Sequence, residues 1–443
     1  MKMPAKRVLI VAHDFPPYRT SGVYRMTGLT KYLLPLGWMP TILAAERGEG
    51  AQDPSLLSRL PEQVEVVRAA APRLTLWEGP TARALKSLGA LNPAHNGHRH
   101  SDGNGGLRKT GDFLRSCLYF PDETVSWVPF AFAKAVRLHR RRPFDVIYSS
   151  GPPRSSALLG LLLRAALAIP WTLEFRDPWY LSARPLRRQF ETKLQNLLLR
   201  RADAVVVVTE GHALDLQNDW QVPREKLHVI RNGFDEDDFR SQPASPAEAL
   251  PRGYFHLSHL GTIYEGNSGN FFPALRELAA ERPDLTARLR VNIIGYPDQE
   301  VCGYMNDPQL KHLVHTQGFI PHEKALEIMR ASDGLLLFWA DPRFSRMAVA
   351  GKTYEYLRMG RPILAVAQEG GIRQLIEEAK AGCVVHPHDT QAIKRALESL
   401  LAGHSENGHA PQPAEPEYVA QFRYDRLAEK LAGIFGKVTG YAA

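Results

Sequence analysis

The sequence predicts an α/β protein made of two Rossmann-like, doubly wound lobes in tandem. Three observations predict it. Short apolar, β-rich runs alternate with longer segments of helical spacing along most of the chain. The alternation stops and restarts near Ser241–Pro251, a stretch rich in Pro, Ser and Ala. The 443 residues, 44% hydrophobic and 23% charged, are enough for two cores of ordinary globular composition.

The first series opens with Arg7–Ala12, behind Lys2 and Lys6. This run is too short for a secretory h-region and no small-residue cleavage site follows, so it is read as a buried first strand. Met39–Ala44, Val64–Arg68, Val146–Ser149, Trp171–Phe175 and Ala204–Thr209 follow as strands, with His228–Asn232 as the last short one. Tyr24–Leu36 and Trp127–Arg140 have helical spacing. The longest apolar stretch, Ala157–Trp171, is interrupted by Arg164 and ended by Pro170. It falls short of the roughly 20 residues a bilayer span needs, and a buried helix is expected.

The second series has strands at Phe255–Gly261, Val291–Gly295, Leu313–Gln317, Gly334–Phe338, Pro362–Ala365 and Gly382–Val385. Its helices are expected at Phe271–Glu281, His322–Ala331, Gly351–Met359, Ile372–Glu378 and Thr390–Leu401, with a final helix at Arg423–Phe435. Residues 1–240 are expected to form the first lobe and 241–417 the second, with 418–443 packing back on the first. Asn92–Asp112 and Gly403–Glu417 read as irregular insertions. In open α/β sheets, ligands sit beyond the carboxyl ends of the strands, so the cleft between the lobes is the expected site.

The net charge of +8 is uneven: residues 1–230 hold 32 Lys and Arg against 20 Asp and Glu, the remainder 23 against 27. A basic first half points to an anionic partner, such as a membrane surface or a phosphorylated substrate; solvated helix faces are the plain alternative. Nucleic acid is not expected as a partner. Arg137, Arg140, Arg141 and Arg142, with Arg184, Arg187 and Arg188, are candidates for contact with an anionic membrane. Cys117, Cys302 and Cys383 match no metal-ligand spacing and read as reduced thiols, in keeping with a cytoplasmic protein peripheral to the inner face of a membrane. His95, His98 and His100 are explained by loop solubility.

One segment concentrates candidate chemistry. Gly351 and Lys352 open a helix, and backbone N–H groups at a helix start beside a cation suit a diphosphate. Glu355 lies one turn deeper, where a carboxylate can accept from a ribose diol. Gly360 ends the helix and Arg361-Pro362 leads into the next strand. An ordinary amphipathic helix with exposed Lys and Glu is the bland reading.

Glu355-Tyr-Leu-Arg-Met-Gly-Arg-Pro-Ile-Leu-Ala365 resembles the Glu-bearing helix, small-residue stop and Pro-Ile strand of the retaining GT-B glycosyltransferases of family 4. Four further stretches match in order. His13-Asp-Phe-Pro-Pro-Tyr-Arg-Thr-Ser-Gly-Val-Tyr-Arg25 is similar to the family's phosphate and acceptor loop, with Ser21 in place of its first Gly. Ala202–Glu210 resembles the strand that closes the first lobe, Val229–Asp235 the Asn-Gly turn into the linker, and Gln317–Glu323 the loop near the nucleotide base.

The resemblance implies a GT-B fold and a hexosyltransferase that moves a sugar from a nucleotide diphosphate sugar to an acceptor hydroxyl with retention, in polysaccharide or glycoconjugate synthesis. It implies no cofactor and no catalytic metal. The donor would meet Ser21, Gly22, Gly261, Thr262, Phe319, Arg346, Gly351, Lys352 and Glu355. His13, Arg19, Arg25 and Trp179 would lie on the acceptor side, and Asp177, Arg176 and Lys352 would take part in catalysis. The acceptor would be a glycan, lipid-linked or free, or a small molecule.

Three departures stand out. Met347 occupies the position of the family's first Glu, leaving Asp341, Arg343 and Arg346 as nearby polar groups. Gly261-Thr262 lacks the family's phosphate-binding Arg, which shifts that load to Lys352, Arg346 and Arg25. Arg176-Asp177 stands where many members have a His, and His259 reads as a satisfied polar residue. The runner-up functions are a nucleotide-sugar epimerase of the same fold and a catalytically degenerate partner that binds sugar nucleotides.

Overall fold

The apolar runs become strands because their Val, Ile and Leu side chains pack on both faces of parallel sheets. The computed structural model describes residues 6–47, 52–72, 119–240, 250–406 and 414–441. The Asn92–Asp112 insertion, His95, His98, His100, Cys117, most of the Ser241–Pro251 stretch and residues 407–413 lie outside the described residues, as do the side chains of Ser21 and Arg343. The ends of the Gly403–Glu417 stretch are not irregular but belong to the helices Thr390–Glu406 and Pro416–Ala420.

The first sheet contains β1 (Lys6–Val11), β2 (Trp38–Ala45), β3 (Glu65–Ala69), β4 (Val146–Gly151), β5 (Trp171–Phe175), β6 (Ala204–Val207) and β7 (Leu227–Val229), in the order β3-β2-β1-β4-β5-β6-β7. β1 is parallel to both neighbours, with Ile10 opposite Ile42 and Tyr148. Strand order reverses between β1 and β4, where an open sheet leaves its ligand crevice. The helix Arg154–Leu167 fills the apolar stretch before β5 and ends at Ala168, whose φ of 53° is left-handed. Gly160 of this helix lies against Trp171, whose indole N–H donates to Ser149 Oγ at 2.8 Å.

The second sheet contains β8 (Phe255–Leu260), β9 (Leu289–Ile294), β10 (Val314–Gln317), β11 (Gly334–Trp339), β12 (Ile363–Ala367) and β13 (Gly382–Val385), in the order β10-β9-β8-β11-β12-β13. Its reversal falls between β8 and β11. Side chains alternate between two cores: Leu336, Phe338, Leu364 and Val366 enter one, Leu335, Leu337, Ile363 and Ala365 the other. Both sheets therefore have the doubly wound architecture expected of them.

The chain divides into two compact units, Met1–Val206 with Val222–Leu227 and Ala432–Ala443, and Val207–Gln221 with His228–Leu431. This differs from a boundary at 240 and 241. The segment after β6 belongs with the second unit because Gly211 lies directly on the Arg346 backbone. The end of the last helix, Tyr424–Thr439, belongs with the first, where the Phe435 ring meets Trp38 at 5.2 Å and Tyr148 at 5.6 Å. No helix among the described residues is long and apolar enough to cross a membrane.

Candidate functional site

In the second unit, polar side chains gather where β8 ends. The helix Lys352–Met359 follows Gly351 and stops at Gly360, whose φ of 70° is the left-handed stop common after helices. Lys352 and Tyr356, one turn apart, hold the same residue of β8. Lys352 Nζ donates to the Leu260 carbonyl at 2.9 Å, and the Leu260 N–H donates to the Tyr356 hydroxyl oxygen at 2.9 Å.

Lys352 Nζ also lies 3.1 Å from Nε2 of His259, a fully buried ring. His259 Nδ1 sits 3.0 Å from the Leu336 carbonyl. A carbonyl can only accept, so Nδ1 bears the proton and Nε2 accepts from Lys352. Burial, reinforced by the Lys352 charge, pushes the His259 pKa well below the ordinary imidazole value. Burial also pushes the Lys352 ammonium down to about 7. The lysine is thus poised between its two charge states near neutral pH, and an arriving anion would favour the charged one.

Gly261 follows immediately, with φ 118°, and its N–H donates to the Ile294 carbonyl at 2.7 Å. Gly295, at φ 134°, lies so close to the Gly261 backbone that a side chain there would overlap it. The loops after β8 and β9 therefore meet backbone to backbone beside Lys352.

Glu355 points elsewhere. Its Oε1 lies 2.9 Å from His322 Nε2, and His322 Nδ1 is 3.9 Å from Asp238 Oδ2. Phe319 and Thr262 are exposed, and Arg346 has an exposed side chain. Gly351 has open space where a Cβ would stand, so nothing steric demands glycine there.

In the first unit, the Arg176 guanidinium bonds to the Gly151 and Pro152 carbonyls and lies against Gly22. A Cβ at Gly22, at the start of the helix Ser21–Leu33, would fall on that guanidinium and push the arginine side chain aside, so glycine lets Arg176 rest there. Asp177 follows and is exposed, while desolvation by the neighbouring protein raises its carboxyl pKa against the opposing pull of Arg176.

Three side chains expected on the acceptor side are largely buried. Arg25 is 1% exposed, and its Nε and Nη2 lie 3.0 and 2.6 Å from Glu174 Oε1. Ser150 Oγ donates to Glu174 Oε2 at 2.6 Å. Burial would raise the Glu174 pKa, but Arg25 and these hydrogen bonds outweigh it and leave it lowered. A buried carboxylate needs such a partner, and the inner face of the helix supplies it. His13 is 4% exposed, bonded to Asp14 at 2.9 Å and packed edge-on against Trp127. Trp179 is 8% exposed, under the Arg154 guanidinium at 4.6 Å and beside Phe175. Arg19 remains partly exposed ahead of the helix.

The structure thus joins Lys352 to Gly261, and Arg176 to Gly22. It adds His259, Tyr356 and His322, which sequence reasoning did not place in the site. Tyr356 had a readable signal, the one-turn spacing from Lys352. His322 lies in the Gln317–Glu323 stretch already singled out with Phe319, at the start of a helix, but nothing local told of its partner. Among the described residues, no group of three or more His, Cys, Asp or Glu is arranged to hold a metal ion.

Residues 22–233 match the glycosyl transferase 4-like domain, and residues 256–403 match the glycosyl transferases group 1. A D-inositol 3-phosphate glycosyltransferase of Corynebacterium urealyticum is 22% identical over 54% of this chain and 57% of its own length. One from a Nocardioides species is 26% identical over 46% of this chain and 47% of its own. The chain thus spans about half the length of these curated relatives. Sucrose-phosphate synthase from Thermosynechococcus elongatus superposes with a TM-score of 0.66 at 15% identity, over 99% of this chain and 100% of that one. The Anabaena protein HepE in complex with UDP does so with a TM-score of 0.64 at 13% identity, over 98% and 100%. The two family matches jointly take in most of the chain, and the two sheets have the matching architecture: this protein belongs to the group 1, family 4-like glycosyltransferases and has their GT-B fold.

Proposed function

We propose that the protein transfers a sugar from a nucleotide diphosphate sugar to an acceptor hydroxyl with retention of configuration. The observation that carries this reading is Lys352, held at the end of β8 beside the side-chain-free backbone of Gly261. Negative charge grows on the leaving diphosphate in the transition state, and a fixed cation in a partly desolvated position stabilises it there. Arg346, with its exposed side chain, is a second cation for the same charge. Glu355 accepts from the ribose hydroxyls, and Phe319 flanks the base. That HepE was solved with UDP supports a nucleotide donor.

Acceptor binding falls to the first unit. Arg176 contacts an acceptor phosphate and Arg19 adds charge. Asp177, whose raised pKa makes it a better base than an ordinary carboxylate, orients or deprotonates the acceptor hydroxyl. The phosphorylated acceptor named for the curated relatives supports an anionic acceptor here. The product is a cell-surface polysaccharide or glycoconjugate, made at an anionic membrane surface.

The test is a donor screen with UDP-, GDP- and dTDP-sugars, followed by turnover of Lys352→Ala and Glu355→Ala. Each variant is expected to lose at least a hundredfold in transfer while keeping the wild-type circular dichroism spectrum. Wild-type turnover in both would sink the assignment. Release of an altered nucleotide sugar without any acceptor would show an epimerase instead.

A further inference from the structure

We propose that His322 is a positioning residue for Glu355: it presets the carboxylate that meets the nucleotide ribose, and so makes the site prefer ribonucleotides over 2′-deoxyribonucleotides. The proposal rests on the donor-nucleotide reading above and goes beyond it, since that reading assigns His322 nothing.

His322 is the first residue of the helix His322–Ala331, immediately after Pro321. Proline fixes its own φ, so the chain enters this helix on a restricted path. The ring is delivered to Glu355, 33 residues away on another helix, with Nε2 2.9 Å from Oε1. An ionised carboxylate has no proton to give, so Nε2–H is the donor. On the other side of the ring, Asp238 Oδ2 stands 3.9 Å from Nδ1, too far for a hydrogen bond but close enough to limit how the ring can swing. The three side chains are 13%, 23% and 17% exposed, so the cluster is partly enclosed yet open to a ligand.

A glutamate has three rotatable bonds, and an unanchored one must be ordered when the ligand binds. His322 performs that ordering in the folded protein, before any ligand arrives. The contact engages Oε1, and a carboxylate offers about four lone-pair sites. Oε2 and the remaining Oε1 lone pair can still accept from two adjacent hydroxyls. A ribose supplies both, whereas a 2′-deoxyribose supplies one and leaves an acceptor poorly matched. A carboxylate free to rotate would turn to water or to the single hydroxyl and lose the distinction.

The experiment titrates UDP, GDP and their 2′-deoxy forms, with inorganic pyrophosphate as control, into the full chain and into His322→Ala and His322→Gln. The wild type is expected to favour the ribo form of the nucleotide it binds. His322→Ala should weaken ribonucleotide binding about tenfold and bring the ribo-to-deoxy ratio toward one, with pyrophosphate affinity unchanged. His322→Gln, whose amide can still donate, should keep most of the ratio. A ratio undiminished in His322→Ala overturns this proposal alone. So does equal loss of all ligands, pyrophosphate included, in both variants, which would mark a general structural role. A wild type that binds both forms equally also overturns it. A wild type that binds none of these nucleotides, ribo or deoxy, and no dTDP either, overturns the donor reading and this proposal together; binding of deoxy forms alone overturns this proposal only.

Discussion

Lys352 is a cation placed where burial disfavours its charge, and that has a consequence for stability. Its pKa falls from the ordinary 10.5 to about 7, so between these values the unfolded chain holds a proton that the native one does not. Stability linked to this residue therefore rises with pH across that window and is lost again as pH falls through about 7. Comparing urea unfolding of wild type and Lys352→Met from pH 6.5 to 9.5 isolates the effect. The variant is expected to be the more stable at the acid end, with the gap closing as pH rises; a pH-independent gap would contradict it. Lys352 and Glu355 were legible in the sequence because both lie within one turn of one helix. Their partners were not, because His259 and His322 are 93 and 33 residues away and only the tertiary register brings them close. The same limit explains Arg25, whose charge was readable while its burial against Glu174, 149 residues on, was not.

At the scale of elements, the strands were legible to within a few residues because buried parallel strands are written as near-continuous apolar runs. Trp171–Phe175 and Gly382–Val385 have the expected ends, and the helices Phe271–Glu281 and His322–Ala331 do as well. The helix Pro185–Arg201 escaped notice because it is strongly polar, with Arg, Lys and Gln dispersed among its leucines. Its apolar residues are split between the buried Leu198 and Leu199 and the exposed Leu186, Phe190 and Leu197, so no single core-facing stripe stands out. The helix Arg154–Leu167 makes a sharper demand. It sits on β4 and β5 through Gly160, where any added methyl would meet the fully buried Trp171 indole. Gly160→Val should destabilise the protein by about 1–3 kcal/mol through overpacking, read as a lower urea midpoint. An unchanged midpoint would mean that the helix can shift away without cost.

At the scale of the whole molecule, the charge asymmetry matters more than the net charge. The basic half includes the helix Pro185–Arg201, whose Leu186, Phe190 and Leu197 are 51%, 54% and 43% exposed. They are four and seven residues apart, which places them within about 40° of one another around the helix. Lys193 and the terminal arginines flank the same stripe. Exposed apolar groups among cations suit the surface of an anionic bilayer. Flotation with phosphatidylglycerol vesicles at low salt should carry the protein upward, and about 0.5 M salt should release most of it. Phe190→Asp should weaken the association further. Equal behaviour with neutral and anionic vesicles, or none at low salt, would refute the membrane surface as a partner.

The grip of Lys352 on Leu260 has one more implication, for inhibitors. The amine already has a carbonyl and an imidazole as partners. The protonated amine keeps a third N–H to offer, whereas a compound that engages the neutral amine must displace or share those partners, so that its gain is a difference between two sets of hydrogen bonds. Charged mimics of a diphosphate would also have to draw a proton onto the amine at alkaline pH, while a neutral mimic rich in acceptors would not. Medicinal chemistry against this site should therefore rank neutral and charged compounds differently at pH 6.5 and pH 8.5.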